Sequence, residues 1–385
     1  MRLIIVILYL ILISFSTSAQ GTYTGSGSVT QGLGTTTLNN IYPGCTGSRV
    51  SAMGTITSSD NKIWTLPADN LFTSASKLPD LYNQCTGVKP ASLSAVNLAN
   101  LPVKVIDNTG DTITAFLLGD NYFELYINGV LVGVDPVPYT PFNSCVVKFK
   151  VKYPYTIAVK LIDWEENMGL GSENNNGNLY HAGDGGFIMQ CSDGSVTDST
   201  WKAQTFYIAP IENLSSVIEM PDGTRSSATA NTAPTCNANC YGIHYTVPTN
   251  WQLSSYSDSL WPRAITYTPA VVGVNWPAYM NVSTVWNNAQ FIWSSNLILD
   301  NYVLTRKTIK GPTYTFTGNG NWTQASNWLN NKMPPTNLPN GSTIVIDPVT
   351  GGQCFLNISQ HIPSQGSLIV KPGKIFQMAG NLMIQ

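Results

Sequence analysis

The sequence predicts an all-β protein whose main body is an antiparallel β-sandwich, and three observations carry the prediction. The stretch from Gly119 to Gly133 alternates Phe123, Leu125 and Ile127 with Glu124 and Tyr126, the two-residue period of a half-buried strand, then turns on Asn128-Gly129 into Val130 to Val132. Two further runs, Val146 to Val151 and Ile157 to Leu161, alternate lysine with apolar residues, as antiparallel strands with one wet face do. Only 10% of the 385 residues are charged, so Asn, Ser, Thr, Gly and Tyr must cover much of the surface. That profile suits an extracellular β-protein and not a disordered chain.

The N-terminus supports export. Met1-Arg2 precede an apolar run from Leu3 to Ile13, and Thr17-Ser18-Ala19 supply the small residues of a cleavage site. Residues 1–19 read as a secretory signal peptide with Gln20 as the mature N-terminus. The run is too short to span a bilayer comfortably and no later segment is apolar enough, so no membrane span is expected after cleavage. In that setting the seven cysteines, Cys45, Cys85, Cys145, Cys191, Cys236, Cys240 and Cys354, read first as disulfides, with at least one left unpaired within the chain. A formal charge of −2 without basic clusters leaves no electrostatic footprint for nucleic acid.

Residues 20–48 are rich in Gly, Thr and Ser and read as a linker or a lightly structured first strand. Residues 49–310 form the sandwich region, as one domain or two. Ile63 to Leu66, Leu101 to Ile106 and Thr112 to Leu118 lead as strands into the hairpin, and Tyr153-Pro154 is the turn between the two lysine-alternating strands. From Asp163 to Gly186 the pattern breaks into a polar, Gly-rich, acidic stretch; a loop of that length inside a compact domain is usually functional. Gly186 to Cys191 resumes the strand pattern. Asp198-Ser199-Thr200-Trp201 and Asp258-Ser259-Leu260-Trp261 then each place Asp-Ser-x-Trp ahead of a strand-like run, a side-chain-to-backbone turn that the indole can pin to the sandwich. Ala289 to Ile309 gives two strands with Asp300-Asn301 between them. Gly311-Pro312 marks a boundary, and residues 311–385 have a different texture. Short strands at Thr343–Ile346, Cys354–Ile358, Leu368–Val370, Ile375–Met378 and Leu382–Ile384 recur there between Gly and Pro turns, as in a small β-solenoid or an ordinary small sandwich.

The Gly119–Gly133 hairpin, the two Asp-Ser-x-Trp segments and the Phe291–Lys307 ending resemble galactose-binding-like jelly-roll domains, over roughly Val103 to Lys307. The resemblance implies a sandwich that often binds carbohydrate and sometimes a structural calcium. The tail from Gly318 to Gln385, with Gly320-Asn321-Trp322, Asn327-Trp328 and Gly380-Asn381-Leu382, is similar to modules in secreted proteins of the Bacteroidetes. Together with the leader, it implies an exported protein that is released or held at the cell surface.

The acidic loop is the leading candidate site. Asp163, Glu173 and Asp184 are the candidate ligands for Ca2+, which takes roughly six to eight oxygens at a flexible site. Trp164, Glu165, Glu166, Asn174, Tyr180 and His181 are the candidate glycan contacts, with Trp164 as the aromatic platform and the polar residues reading hydroxyls. The spacing matches no EF-hand, and a solvated loop with carboxylates capping turns would look the same. Cys236, Cys240 and His244 have a ligand-like spacing, but export favours a small Cys236–Cys240 loop or separate disulfides over zinc. Trp201 and Trp261 read as structural. No nucleophile elbow and no evident carboxylate pair points to catalysis. The expected function is a secreted, non-catalytic carbohydrate-binding or cell-surface adhesion protein whose partner is a glycan or surface polysaccharide. The alternatives are a carbohydrate-active hydrolase using acids of the 163–184 loop, and a purely structural surface protein.

Overall fold

The computed structural model describes residues 22–41, 51–83, 87–136, 144–164, 167–170, 183–274, 286 and 288–385. Residues 1–19, for which a signal peptide is expected, lie outside the described residues, as does most of the acidic loop. The chain is almost entirely strand, with short 3-10 turns, and its main body is an antiparallel β-sandwich. The front sheet has seven strands, in the spatial order Ser28–Gln31, Tyr241–His244, Lys202–Ile211, Asp300–Ile309, Tyr155–Ile162, Tyr122–Ile127 and Val130–Val134. The back sheet runs Ile265–Tyr267, Phe291–Trp293, Gly186–Cys191, Asp111–Asp120, Ser144–Val151 and Asp80–Tyr82, with Val103–Val105 added parallel to Ser144–Val151.

The connections explain how one sequence of alternating strands makes two sheets. The eight central strands change sheet at every step: Asp111–Asp120 back, Tyr122–Ile127 front, Ser144–Val151 back, Tyr155–Ile162 front, Gly186–Cys191 back, Lys202–Ile211 front, Phe291–Trp293 back, Asp300–Ile309 front. Tyr153-Pro154 is therefore an arch between sheets and not a hairpin turn. Asp300-Asn301 opens the last of these strands and does not separate two. The described strands of these two sheets come from the stretch between Ser28 and Ile309. The tight hairpin is where it is expected, with Asn128 at φ 50° and Gly129 at φ 82° and Ile127 paired with Val130. It forms the edge of the front sheet and not its middle.

Alternation places Phe123, Leu125, Ile127, Ile157, Val159, Leu161 and Val303 in the core between the sheets. The opposite face of the front sheet is not wet, as the lysine alternation suggests, but carries a second core built on Tyr122, Ala158, Ile162, Tyr302 and Leu304. A small sheet of Thr35–Leu38, Met53–Thr57 and Ile63–Leu66 covers part of that face. The described part of residues 20–48 is consequently integral to the fold: Ser28–Gln31 closes the front sheet and Thr35–Leu38 joins the cover.

Both Asp-Ser-x-Trp segments make the same turn. The Trp201 amide donates to the Asp198 carbonyl at 3.2 Å and the Trp261 amide to the Asp258 carbonyl at 3.0 Å, and both indoles are buried. Cys236 and Cys240 form a disulfide, which removes both thiolates from the zinc spacing. The C-terminal module is a solenoid of parallel strands: Thr313–Phe316, Thr343–Ile346 and Ser367–Val370 stack on one face, and Gly320–Asn321, Gln353–Leu356 and Ile375–Met378 on the next. Its core holds Trp322 against Trp328, edge to face at 4.7 Å. Among the described residues no helix is long and apolar enough to cross a membrane.

Candidate functional site

The outer face of the front sheet is covered by two pieces that do not meet. One is the strand Ile63–Leu66 with the turn to Asp69, and the other is the segment after His244, through Trp251. The gap between them is a cavity of about 340 Å³. Its floor belongs to the sheet: Lys160 from Tyr155–Ile162, Phe206 and Tyr207 from Lys202–Ile211, and Tyr302 from Asp300–Ile309. Trp64, Thr65 and Asp69 form one wall, and Tyr245, Thr246 and Trp251 the other.

Aromatic rings dominate this surface, and each is fixed by a neighbour. The His244 imidazole lies between Trp64, with ring centroids 5.1 Å apart, and Tyr207, at 4.5 Å, both pairs within 18° of parallel. Trp64 is half-exposed, and its Nε1 donates to Ser58 Oγ at 3.0 Å. Trp251 meets Tyr126 edge to face at 5.5 Å. Thr30 Oγ1 sits 3.0 Å from His244 Nε2. Burial lowers the imidazole pKa from 6.5 to about 3, so the ring is neutral at physiological pH. Burial also holds the phenols of Tyr245 and Tyr302 well above their ordinary range, so both stay protonated.

Polar groups rim the aromatic surface. Lys160 Nζ donates to the Asp69 carbonyl at 2.6 Å, lies 3.5 Å from Glu124 Oε1 and sits 5.6 Å from the centre of the Tyr302 ring. Glu124 is fully buried and accepts from the Leu71 amide at 2.8 Å and Tyr126 Oη at 2.8 Å. The lysine charge is thus already matched, and the lining is mainly aromatic, with Thr65, Asp69 and Thr246 as its other polar members. Such a surface suits a ligand with apolar faces and a hydroxyl-bearing perimeter.

Beyond Phe206 and Thr246, which line both spaces, a second cavity of about 210 Å³ continues the groove. Arg225, Gln204, Asp222, Tyr256 and Leu260 line it. The Arg225 guanidinium carbon lies 3.6 Å from the centre of the Tyr245 ring and 5.1 Å from that of Phe206.

Of the residues singled out in the acidic loop, Asp163, Trp164 and Asp184 are described. Trp164 is fully buried; its Nε1 donates to the Ala52 carbonyl at 2.9 Å and its ring meets Tyr122 edge to face at 5.7 Å. It is a core residue and offers no platform to a ligand. Asp163 is 1% exposed, with its amide donating to the Asn301 carbonyl at 2.9 Å. Asp184 packs against Gly273, where a Cβ would come within 2.9 Å of its Oδ2. Glu165, Glu166, Glu173, Asn174, Tyr180 and His181 lie outside the described residues. Among the described residues no three His, Cys, Asp or Glu side chains gather as a metal-holding group. The groove residues carry no sequence motif; the one signal is the density of Tyr and Trp on strands whose other face is apolar. The chain matches no family model, no curated protein and no solved structure.

Proposed function

We propose that the protein is a secreted, non-catalytic glycan-binding or cell-surface adhesion protein that holds a polysaccharide segment in the aromatic groove. The groove itself carries the reading: the aromatic side chains of Trp64, Tyr245, Trp251 and Tyr302 line one cavity together with the polar Thr65, Asp69 and Thr246, and Trp64 is the half-exposed ring among them, the composition of a sugar-binding surface. The low charge of the chain, its leader and the galactose-binding-like resemblance support the same reading. Calcium belongs to the proposal through Asp163, Glu173 and Asp184, as a structural ion of the acidic loop and not as a groove ligand.

A polysaccharide array probed with the mature protein at millimolar calcium, with and without chelator, tests this. Binding that Trp64→Ala weakens at least about tenfold, the scale of one lost stacking contact, supports it. A folded protein that binds no polysaccharide, or a Trp64→Ala variant that binds as well as the parent, overturns it. A thermal denaturation midpoint unchanged by chelator removes calcium alone.

A further inference from the structure

We infer that the groove takes an acidic polysaccharide, with the carboxylate or sulfate of one sugar held at Arg225 while neighbouring rings lie on the aromatic floor. The inference rests on the glycan-binding reading and specifies its ligand class. Three observations carry it.

The first is continuity. The two cavities share Phe206 and Thr246, so a chain seated on Trp64 and Tyr302 passes into the space beside Arg225. The site is longer than one ring.

The second is a cation with spare donors. Among the described residues the Arg225 guanidinium donates to one acceptor, the Thr205 carbonyl, at 2.6 Å, and its buried Nε has no partner. A guanidinium has five N–H donors in a fixed fork suited to a carboxylate or sulfate. Glu219 stands opposite Arg225 on the paired strands Ile218–Glu219 and Arg225–Ser226, and its carboxylate also accepts from Tyr23 Oη at 2.7 Å and from the amide and hydroxyl of Ser26 at 2.8 and 2.6 Å. Burial lowers the Arg225 pKa, while the charge of Glu219 acts to raise it.

The third is an acceptor in the same wall. Gln204 is 4% exposed; its Nε2 donates to the Gly223 carbonyl at 2.9 Å, which leaves Oε1 facing no donor. The wall beside the cavity therefore carries a guanidinium with one engaged donor and a buried amide oxygen without a partner. Asp222 also lines this space, exposed and accepting from the Thr224 amide at 2.9 Å. It opposes an anion and sets the second arm of the test.

The experiment measures binding by titration calorimetry to four probes: polygalacturonate, its fully methyl-esterified form, a sulfated galactan and a neutral galactan. The methyl ester keeps the polygalacturonate backbone and replaces each carboxylate by a neutral, slightly larger ester, and the neutral galactan controls for the added methyl group. The expected result is binding to polygalacturonate or sulfated galactan at least about tenfold tighter than to its neutral counterpart, the scale of one charge-assisted hydrogen bond. Arg225→Gln erases that preference, Arg225→Lys retains part of it, and Asp222→Asn increases it. Which anionic probe wins identifies the group as carboxylate or sulfate. Equal binding of charged and neutral forms overturns the inference and leaves glycan binding intact. A preference that Arg225→Gln does not change, in a variant with unaltered circular dichroism, overturns it too. Failure to bind any of the four probes, or any other polysaccharide, overturns both readings.

Discussion

The Trp64 indole stacks on the His244 imidazole with ring centroids 5.1 Å apart and planes 18° from parallel. The contact joins the covering sheet to the front sheet at the floor of the groove, and it depends on a neutral imidazole. Folding lowers the His244 pKa from 6.5 to about 3, so between those values the unfolded chain binds a proton that the folded chain refuses. This stabilising contribution is complete above pH 6.5 and is lost as pH falls toward 3, by at most about 1.4 kcal/mol per pH unit. Urea unfolding at pH 7 and pH 4.5 should show a smaller loss of stability for His244→Phe than for the parent. Equal losses would show that the imidazole does not govern this range.

Asp300 is a buried carboxylate without a neighbouring cation among the described residues. It accepts from the hydroxyls of Ser227 and Ser294 at 2.6 Å each, from Thr205 at 3.0 Å and from the Asn296 amide at 3.2 Å. These donors come from three separate stretches, so one side chain ties the start of the Asp300–Ile309 strand to both of its surroundings. Asp300→Ala leaves several buried donors unsatisfied and should cost about 3 kcal/mol or more, read as a fall in the denaturation midpoint.

Arg306, at 1% exposure, organises the segment that carries Trp251. Its Nε donates to Asp258 Oδ2 at 3.0 Å, one terminal nitrogen donates to the Trp251 carbonyl, and the other donates to the carbonyls of Leu253 and Tyr256 at 3.1 and 3.2 Å. A lysine cannot reproduce that fork. Arg306→Lys should destabilise by about 3 kcal/mol and weaken polysaccharide binding beyond what the remaining folded fraction accounts for, since a wall of the groove would loosen. Unchanged affinity of the folded fraction would show that the wall does not depend on Arg306.

The solenoid meets the sandwich at Gly341. Its φ is +69°, and a Cβ there would lie 3.0 Å from the Pro154 nitrogen and 3.1 Å from the Tyr153 carbonyl carbon. Gly341→Val strains the backbone and pushes the two bodies apart, at about 1–3 kcal/mol. Limited proteolysis should then cut faster near Gly311-Pro312, with the sandwich fragment still folded; unaltered cleavage would count against this junction.

Features set by neighbours in the chain were legible from the sequence: the period-two strands, the Asn128-Gly129 turn, the paired Asp198 and Asp258 turns, the Cys236–Cys240 loop and the solenoid strands. The groove was not, because Trp64, Lys160, Tyr245 and Tyr302 come from four distant segments and meet only after the sheet forms. Periodicity distinguishes the two faces of a strand but not what lies against the second face. Lys160 and Glu124 therefore suggested water where the fold places a second core. Trp164 suggested a ligand platform because of its acidic neighbours, yet its donation to Ala52 and its contact with Tyr122 are those of a packed indole.

The pairing of Ser28–Gln31 with Tyr241–His244 has a kinetic consequence. Thr30 and His244 meet although 214 positions separate them, and within each sheet most central strands pair with strands distant along the chain, as Tyr155–Ile162 does with Asp300–Ile309. Such topology places the chain among slow folders, milliseconds to seconds or longer. The segment nearest the beginning of the chain can dock only after the later strands have built its sheet. Until then the Tyr241–His244 edge is open to any other extended chain, so recovery of native protein on refolding should fall steeply with protein concentration.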